Sequence, residues 1–175
     1  TNQMLTLARA DAMELQQEPL DLSTLAERVT RRLWPLARQN GIDLGLETLE
    51  RVPTLAWGHP ALLEEALVNL LHNALQYTPA GGQVTVQAGV QDGMAHLGVL
   101  DNGPGMSAAD RARVGQRFLR VIQTGARQGG SGLGMAIAAS IAQRHGGQLR
   151  LEDAYPGSQA PGLRAVMIWP SNASA

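Results

Sequence analysis

The spacing of apolar positions along the chain changes several times, and each change marks an element. Residues 4–15 carry Met4, Leu7, Ala8 and Leu15 at helical spacing until Pro19 breaks the pattern, which reads as the end of a helix joined by QQEPL to the rest of the chain. Asp21, with Ser23 close by, is a good N-cap for a helix running to about Gln39, and Asn40-Gly41 ends it. IDLGLET alternates at period two and TLAW reads as a second, short strand. Helical spacing resumes at His59-Pro60 and runs through Tyr77 to the stop at Thr78-Pro79. QVTVQAGV and MAHLGVLD are strands joined through Gln91-Asp92-Gly93 as a hairpin. Ser107 to Val114 can form a short helix. Leu133 to Arg144 is an apolar-rich helix ended by Gly146-Gly147, and QLRLEDA and LRAVMIW close the chain as strands. Helices and strands mix without regular βαβ alternation, which predicts an α/β two-layer sandwich with a mostly antiparallel sheet. No internal repeat is visible.

Composition narrows the chemistry. At 175 residues, 44% hydrophobic and 17% charged, the chain is long enough to bury a proper core as one domain with a short appendage. Its net charge of −1 argues against a large basic surface for nucleic acid. All 14 basic residues are arginine, so a phosphate loop or Schiff base that needs a lysine amine is excluded. The absence of cysteine removes disulfides, thiol nucleophiles and thiolate metal sites. No apolar run reaches the roughly 20 residues of a membrane span, so this segment is not expected to cross one. The first residue is Thr1 and the chain opens mid-pattern, as a piece of something larger would.

Three stretches carry candidate chemistry, and each also has an ordinary structural account. In LLEEALVNLLHNALQYTP, Asn69 and Asn73 share one helix face about 6 Å apart along the axis, with Glu65 one turn before them. A lone helical Asn is usually solvated. These two border an apolar stripe, where an amide needs a partner, and an amide oxygen suits a Mg²⁺ whose other ligands are phosphate oxygens and water. In DNGPGM, Asp101 ends a strand; it is either a turn former or a fixed carboxylate that accepts from an exocyclic amine such as adenine's, with Gly103 and Gly105 letting backbone lie against the base. GGSGLGMAIA is either a hinge or a helix N-terminus offering N–H groups to phosphate. It matches neither the Rossmann nor the Walker spacing. RFLR, with Arg117, Phe118 and Arg120, is a solvated basic face or a source of charge over a polyphosphate.

Taken in order, NLLHNALQYTP, DNGPGM, RFLR and GGSGLGM resemble the four boxes of the catalytic, ATP-binding domain of bacterial sensor histidine kinases. That domain is of the Bergerat-fold superfamily, which also holds gyrase and mismatch-repair ATPases. The resemblance covers about residues 18 to 170, with the catalytic domain placed at 18–175; residues 1–17 resemble the end of the second dimerisation helix that precedes such domains. It implies a mixed, mostly antiparallel sheet of about five strands packed on three helices, with a lid at residues 106–130. It further implies Mg-ATP as ligand, with Asn73 on the metal and Asn69 in support. Asp101 would hold the adenine amine, beside Gly103, Gly105 and Met106. Gln76 and Tyr77 would join the nucleotide site. Gly130, Ser131, Gly132, Leu133 and Gly134 would face the phosphates, and Arg120 would reach the γ-phosphate as the catalytic cation. Two departures stand out: Gln76 where the family commonly has a lysine or arginine, and Leu119 where an aromatic is usual.

Relatives that hydrolyse ATP place a glutamate one turn before the metal asparagine. Here that position is Asn69, which cannot act as a base, and Glu65 lies about 12 Å from Asn73 along the axis. Transfer to a protein acceptor is therefore favoured over hydrolysis. None of His59, His72, His96 and His145 sits in an acceptor-box context. The expected partners are a dimerisation domain of the same homodimeric kinase, which carries the acceptor histidine, and a response-regulator receiver domain. The expected location is cytoplasmic, with the whole protein anchored in the inner membrane. A nucleotide-sensing pseudo-kinase and an anti-sigma serine kinase are the competing readings. Trp34, Trp57 and Trp169 read as core or rim packing, and Arg28, Arg31 and Arg32 as a solvated helix face.

Overall fold

The computed structural model describes residues 16–49, 54–124 and 133–172, the side chains of 117–124 excepted. The chain runs β1 (Glu18–Asp21), α1 (Leu22–Gln39), β2 (Asp43–Thr48), β3 (Leu55–Gly58), α2 (Pro60–Tyr77), β4 (Gln83–Gln91), β5 (Met94–Asp101), α3 (Ala108–Thr124), α4 (Leu133–Arg144), β6 (Gln148–Glu152) and β7 (Arg164–Pro170). The main sheet has the order β2-β4-β5-β7-β6, parallel only at β2-β4. Helices α1, α2 and α4 lie against it, while α3 packs on α4. This is the expected two-layer α/β sandwich.

The period-two pattern decides which side chains enter the core. Ala95, Leu97 and Val99 of β5 stand opposite Trp169, Met167 and Ala165 of β7, and all six are buried. Asp101 continues the same face, two residues beyond Val99. On the opposite face, which also carries the buried Val166 and Ile168, the Arg164 Nε donates to Gln87 Oε1 at 3.0 Å, and its guanidinium pairs with Glu152. The hairpin turns where DG predicts it, with Asp92 at φ 54° and Gly93 at φ 77°.

Helix α2 is held by Leu63, Ala66, Leu67, Leu70, Leu71, Ala74 and Leu75, all buried. Truncating one such leucine to alanine typically costs about 2–5 kcal/mol. Its N-terminus is closed by Pro60 and by the His59 ring, whose Nδ1 accepts from the Leu62 N–H at 3.2 Å. At the start of α1, Asp21 accepts from Ser23 N at 3.0 Å, as its N-cap position predicts.

Three expectations change. EPLD is not linker but β1, antiparallel to β3, with Pro19 opposite Trp57. An outer strand of a two-stranded ribbon can accept a residue with no N–H, so Pro19 does not break it. Helix α3 runs from Ala108 to Thr124, well past Val114. Trp34 is 43% exposed rather than packed, whereas Trp169 is fully buried and donates from Nε1 to the Trp57 carbonyl at 2.9 Å. Arg28, Arg31 and Arg32 are exposed as expected. The expected dimerisation-helix segment lies, apart from residues 16 and 17, outside the described residues.

Candidate functional site

A cavity of about 290 Å³ opens where the last turns of α2, the end of β5, the loop after it and the first turns of α3 and α4 converge. Of the sequence-predicted residues, Asn73, Tyr77, Asp101, Gly105 and Met106 line it. Ala74, Pro104, Asp110, Arg113, Val114, Met135 and Leu163 complete the wall. Gln76 is exposed and is not part of that wall. Gly130, Ser131 and Gly132 lie outside the described residues, as do the side chains of Arg117, Phe118, Leu119 and Arg120.

Asp101 is the most constrained group. It is only 8% exposed, because the strand alternation turns it inward at the point where the helical layer leaves space. Its Oδ1 accepts from Gly103 N at 2.9 Å and from Leu163 N at 3.3 Å, while no donor among the described residues reaches Oδ2. Burial raises the carboxyl above its ordinary pKa, and the two backbone N–H groups oppose that rise in part. One oxygen is thus fastened to the fold and the other is left as an acceptor at the cavity.

The fastening comes from a segment that sequence reasoning did not single out. Gly162 N donates to Gly103 O at 3.0 Å, and Asp101 N donates to Leu163 O at 3.0 Å. Gly162 has φ +65°, and a Cβ there would stand 1.9 Å from the Asp101 carbonyl oxygen. Gly105, at φ +85°, would place a Cβ 2.9 Å from the Gly162 carbonyl oxygen. The DNGPG loop and the PGL strap therefore interlock backbone to backbone, and neither closes with a side chain in the joint. The Pro161-Gly162 dipeptide signals a turn in the sequence. Nothing local says that the turn closes over a residue 62 positions earlier.

On α2 the two asparagines part company. Asn73 is half-buried and faces the cavity. Asn69 is 8% exposed, donates from Nδ2 to the Glu65 carbonyl at 2.9 Å, and packs against α4. A Cβ on Gly134 would come within 3.1 Å of Asn69 Oδ1, so the glycine brings the start of α4 close to α2 at this point. Leu133 packs against the core from the same turn. Thr78, at the end of α2, is 6% exposed, and its Oγ1 has no hydrogen-bond partner among the described residues.

His145 holds the two helices in register at their far ends. It is 3% exposed, and its Nδ1 lies 2.7 Å from Ile141 O while its Nε2 accepts from His59 N at 3.0 Å. Its ring meets that of Trp169 at a centroid distance of 5.6 Å. An acceptor Nε2 requires the neutral Nδ1–H tautomer, and burial accordingly lowers its pKa.

On α3, Arg111 pairs with Asp153 at 2.5 Å, on the side away from the cavity, while Arg113 pairs with Asp110 at 3.1 Å beside it. Among the described residues no helix is long and apolar enough to cross a membrane.

A model of the family described as histidine kinase-, DNA gyrase B- and HSP90-like ATPase matches residues 58–172. The chain is 38% identical over 169 residues to the signal transduction histidine-protein kinase/phosphatase MprB of Mycobacterium ulcerans, covering 95% of this chain and 32% of that protein. The protein of the same name from Mycobacterium tuberculosis is 36% identical over 168 residues, again at 95% and 32%. The chain thus spans about a third of the length of these curated relatives. Among solved structures, a mycobacterial sensor histidine kinase MprB is similar at TM-score 0.70 and 30% identity, covering 91% of this chain and 100% of that one. Full-length ShkA in complex with AMPPNP is similar at TM-score 0.78 and 30% identity, covering 99% and 36%.

Proposed function

The chain belongs to the family of histidine kinase-, DNA gyrase B- and HSP90-like ATPases, and from that membership we propose that it is the ATP-binding catalytic domain of a sensor histidine kinase. In this reading it binds Mg-ATP and passes the γ-phosphoryl group to a histidine on a dimerisation domain outside this chain, for relay to a response-regulator aspartate. The phosphorus leaves the bridging oxygen of ATP for the acceptor nitrogen, and ADP departs. The kinase works as a homodimer through that dimerisation domain, on the cytoplasmic side of the inner membrane.

The observation that carries the reading is Asp101, buried, tied through Oδ1 and open at Oδ2. An adenine exocyclic amine donates to such an oxygen; guanine presents a carbonyl at the same place and is repelled. Met106, Leu163, Val114 and Met135 supply an apolar wall for a flat base. Asn73 offers a neutral amide oxygen from the same cavity. No group of three or more His, Cys, Asp or Glu among the described residues could hold a metal unaided, so a cation here takes its remaining ligands from phosphate and water. When bound, Mg²⁺ offsets phosphate charge. Leu133 and Gly134 open α4, whose first-turn N–H groups suit an anion; the resemblance assigns Gly130, Ser131, Gly132 and Arg120 to the phosphates as well.

Transfer is favoured over hydrolysis because Asn69 stands where a water-activating base would be needed. It is an amide engaged with Glu65 O and packed at Gly134. Two of the chain's own histidines are poor acceptors: His145 is buried and His59 caps a helix.

Calorimetric titration tests the ligand. The wild type is expected to bind ATP and not GTP, with Asp101→Asn losing ATP; equal affinity for the two nucleotides sinks the adenine assignment. Label from γ-labelled ATP is expected on an added dimerisation domain and not on this chain alone. Steady hydrolysis by this chain that disappears in Glu65→Ala overturns the transfer reading.

A further inference from the structure

Charge at the cavity wall is unevenly supplied. Among the described lining residues the charged side chains are Asp101, Asp110 and Arg113, two carboxylates against one guanidinium. The other arginine of α3 with a described side chain, Arg111, is committed to Asp153 on the far side of the helix. Arg164 is committed to Glu152 and Gln87 on the outer face of the sheet. Gln76, the α2 position where a base would help, is neutral and exposed.

Asp110 has a local reason to be where it is. It lies in the first turn of α3, where the helix dipole favours an acid, and its N–H donates to Ser107 Oγ at 3.1 Å. Arg113 has no such local reason. Its bond to Asp110 is an i,i+3 surface pair, with side chains 67% and 52% exposed, and pairs of that kind hold weakly. A guanidinium held so loosely can exchange one carboxylate for a polyphosphate at little cost, and its planar fork suits phosphate oxygens.

We propose that Arg113 is a phosphate-binding residue of this site, supplying the cation that position 76 lacks, and that Asp110 competes with the nucleotide for it. The proposal rests on the nucleotide reading above and assigns it a residue and a built-in competitor. In the free protein Asp110 occupies Arg113. On nucleotide binding the guanidinium turns to the phosphates, while Asp110 stays at the helix N-terminus. Removing the competitor should therefore tighten ATP binding, and should do so only while Arg113 is present.

The test is calorimetric titration of the whole chain with Mg-ATP and, separately, with adenosine, on wild type, Arg113→Gln, Asp110→Asn and the double variant. Circular dichroism serves as the check that each variant folds. Arg113→Gln is expected to weaken Mg-ATP by about tenfold or more and to leave adenosine unchanged, the scale of one charge-assisted hydrogen bond. Asp110→Asn is expected to tighten Mg-ATP severalfold, and the double variant to match Arg113→Gln. Unchanged Mg-ATP affinity in Arg113→Gln overturns the proposal, as does an equal loss for ATP and adenosine, which would put the guanidinium on the base. Tightening by Asp110→Asn in the absence of Arg113 overturns the competition. A wild type that binds neither adenosine nor ATP overturns the nucleotide reading itself, and this proposal with it.

Discussion

Gly162 and Asp101 are joined so closely that a single methyl group on Gly162 would stand 1.9 Å from the Asp101 carbonyl oxygen. They are sixty-one residues apart in sequence, and their joint lies behind the cavity wall formed by Asp101, Gly105 and Leu163. Gly162→Ala meets backbone on one side and a positive φ on its own, so neither partner can yield cheaply. The expected cost is on the order of 3 kcal/mol, read as a lower urea midpoint, with ATP affinity falling because Leu163 N–H is pushed off Asp101 Oδ1. A Gly162→Ala protein with wild-type stability and binding contradicts the interlock.

Asp101 should trade stability for function. Its folded pKa is raised above the ordinary 3.8, so the folded chain holds that proton more tightly than the unfolded one. The resulting stabilisation is present below the unfolded value and is lost as pH rises through the folded one. At neutral pH the buried carboxylate is a net burden on the free protein. Asp101→Asn keeps an oxygen for Gly103 and Leu163 and removes the charge, but turns a donor toward the adenine amine. The free variant is expected to melt at the wild-type temperature or a few degrees above it, with ATP affinity down by roughly 100-fold or more. Differential scanning fluorimetry with and without nucleotide reads both effects.

His145 makes the fold acid-sensitive. Its folded pKa lies below the ordinary 6.5, so the unfolded chain takes up more protons just below that value. Stability is complete above the unfolded pKa and is lost as pH falls toward the folded one. Urea midpoints should drop between pH 7 and pH 5. His145→Gln is expected to start about 1–2 kcal/mol less stable, since it disturbs the bonds to His59 and Ile141, and to show a shallower slope. Some slope should remain, because burial also lowers His96.

Thr78, at the end of α2, offers a cleaner test. Its Oγ1 is buried with no partner among the described residues. Thr78→Val keeps the shape and the extended backbone at φ −82°, ψ 127° and removes the stranded hydroxyl. A gain of about 1 kcal/mol in thermal stability is expected, with ATP affinity unchanged. A fall in affinity would assign the hydroxyl to the nucleotide.

Much of this molecule is legible in one dimension because the decisive signals are local. The alternation of MAHLGVLD sets which side chains of β5 enter the core, and counting by two from Leu97 turns Asp101 inward. The leucine stripe of α2 likewise fixes the face that carries Asn69 and Asn73. Asp92-Gly93 demands the positive φ angles that the hairpin shows. Turn chemistry and periodicity need no knowledge of the rest of the chain, so the order of elements and five of the twelve cavity-wall residues, Asn73, Tyr77, Asp101, Gly105 and Met106, are readable directly. β1 escapes such a reading for a related reason: Pro19 is a local stop signal, overridden only because β3 arrives to pair with it.

Where those faces meet is decided by the sheet. Only the antiparallel pairing of β5 with β7 brings Leu163 to Asp101 Oδ1 and Gly162 under Gly103. Only the packing of α2 on α4 separates Asn73, left at the cavity, from Asn69, which is pressed against Gly134. Arg113 and Arg111 look alike in ADRARV, and the position of α3 on α4 sends one toward the cavity and the other to Asp153. The sequence determined which side chains could enter a site and which ends of which elements would carry them. Contacts between residues far apart along the chain depend on how layers close on one another, and that closure, a sum over the whole core, belongs to the tertiary structure alone.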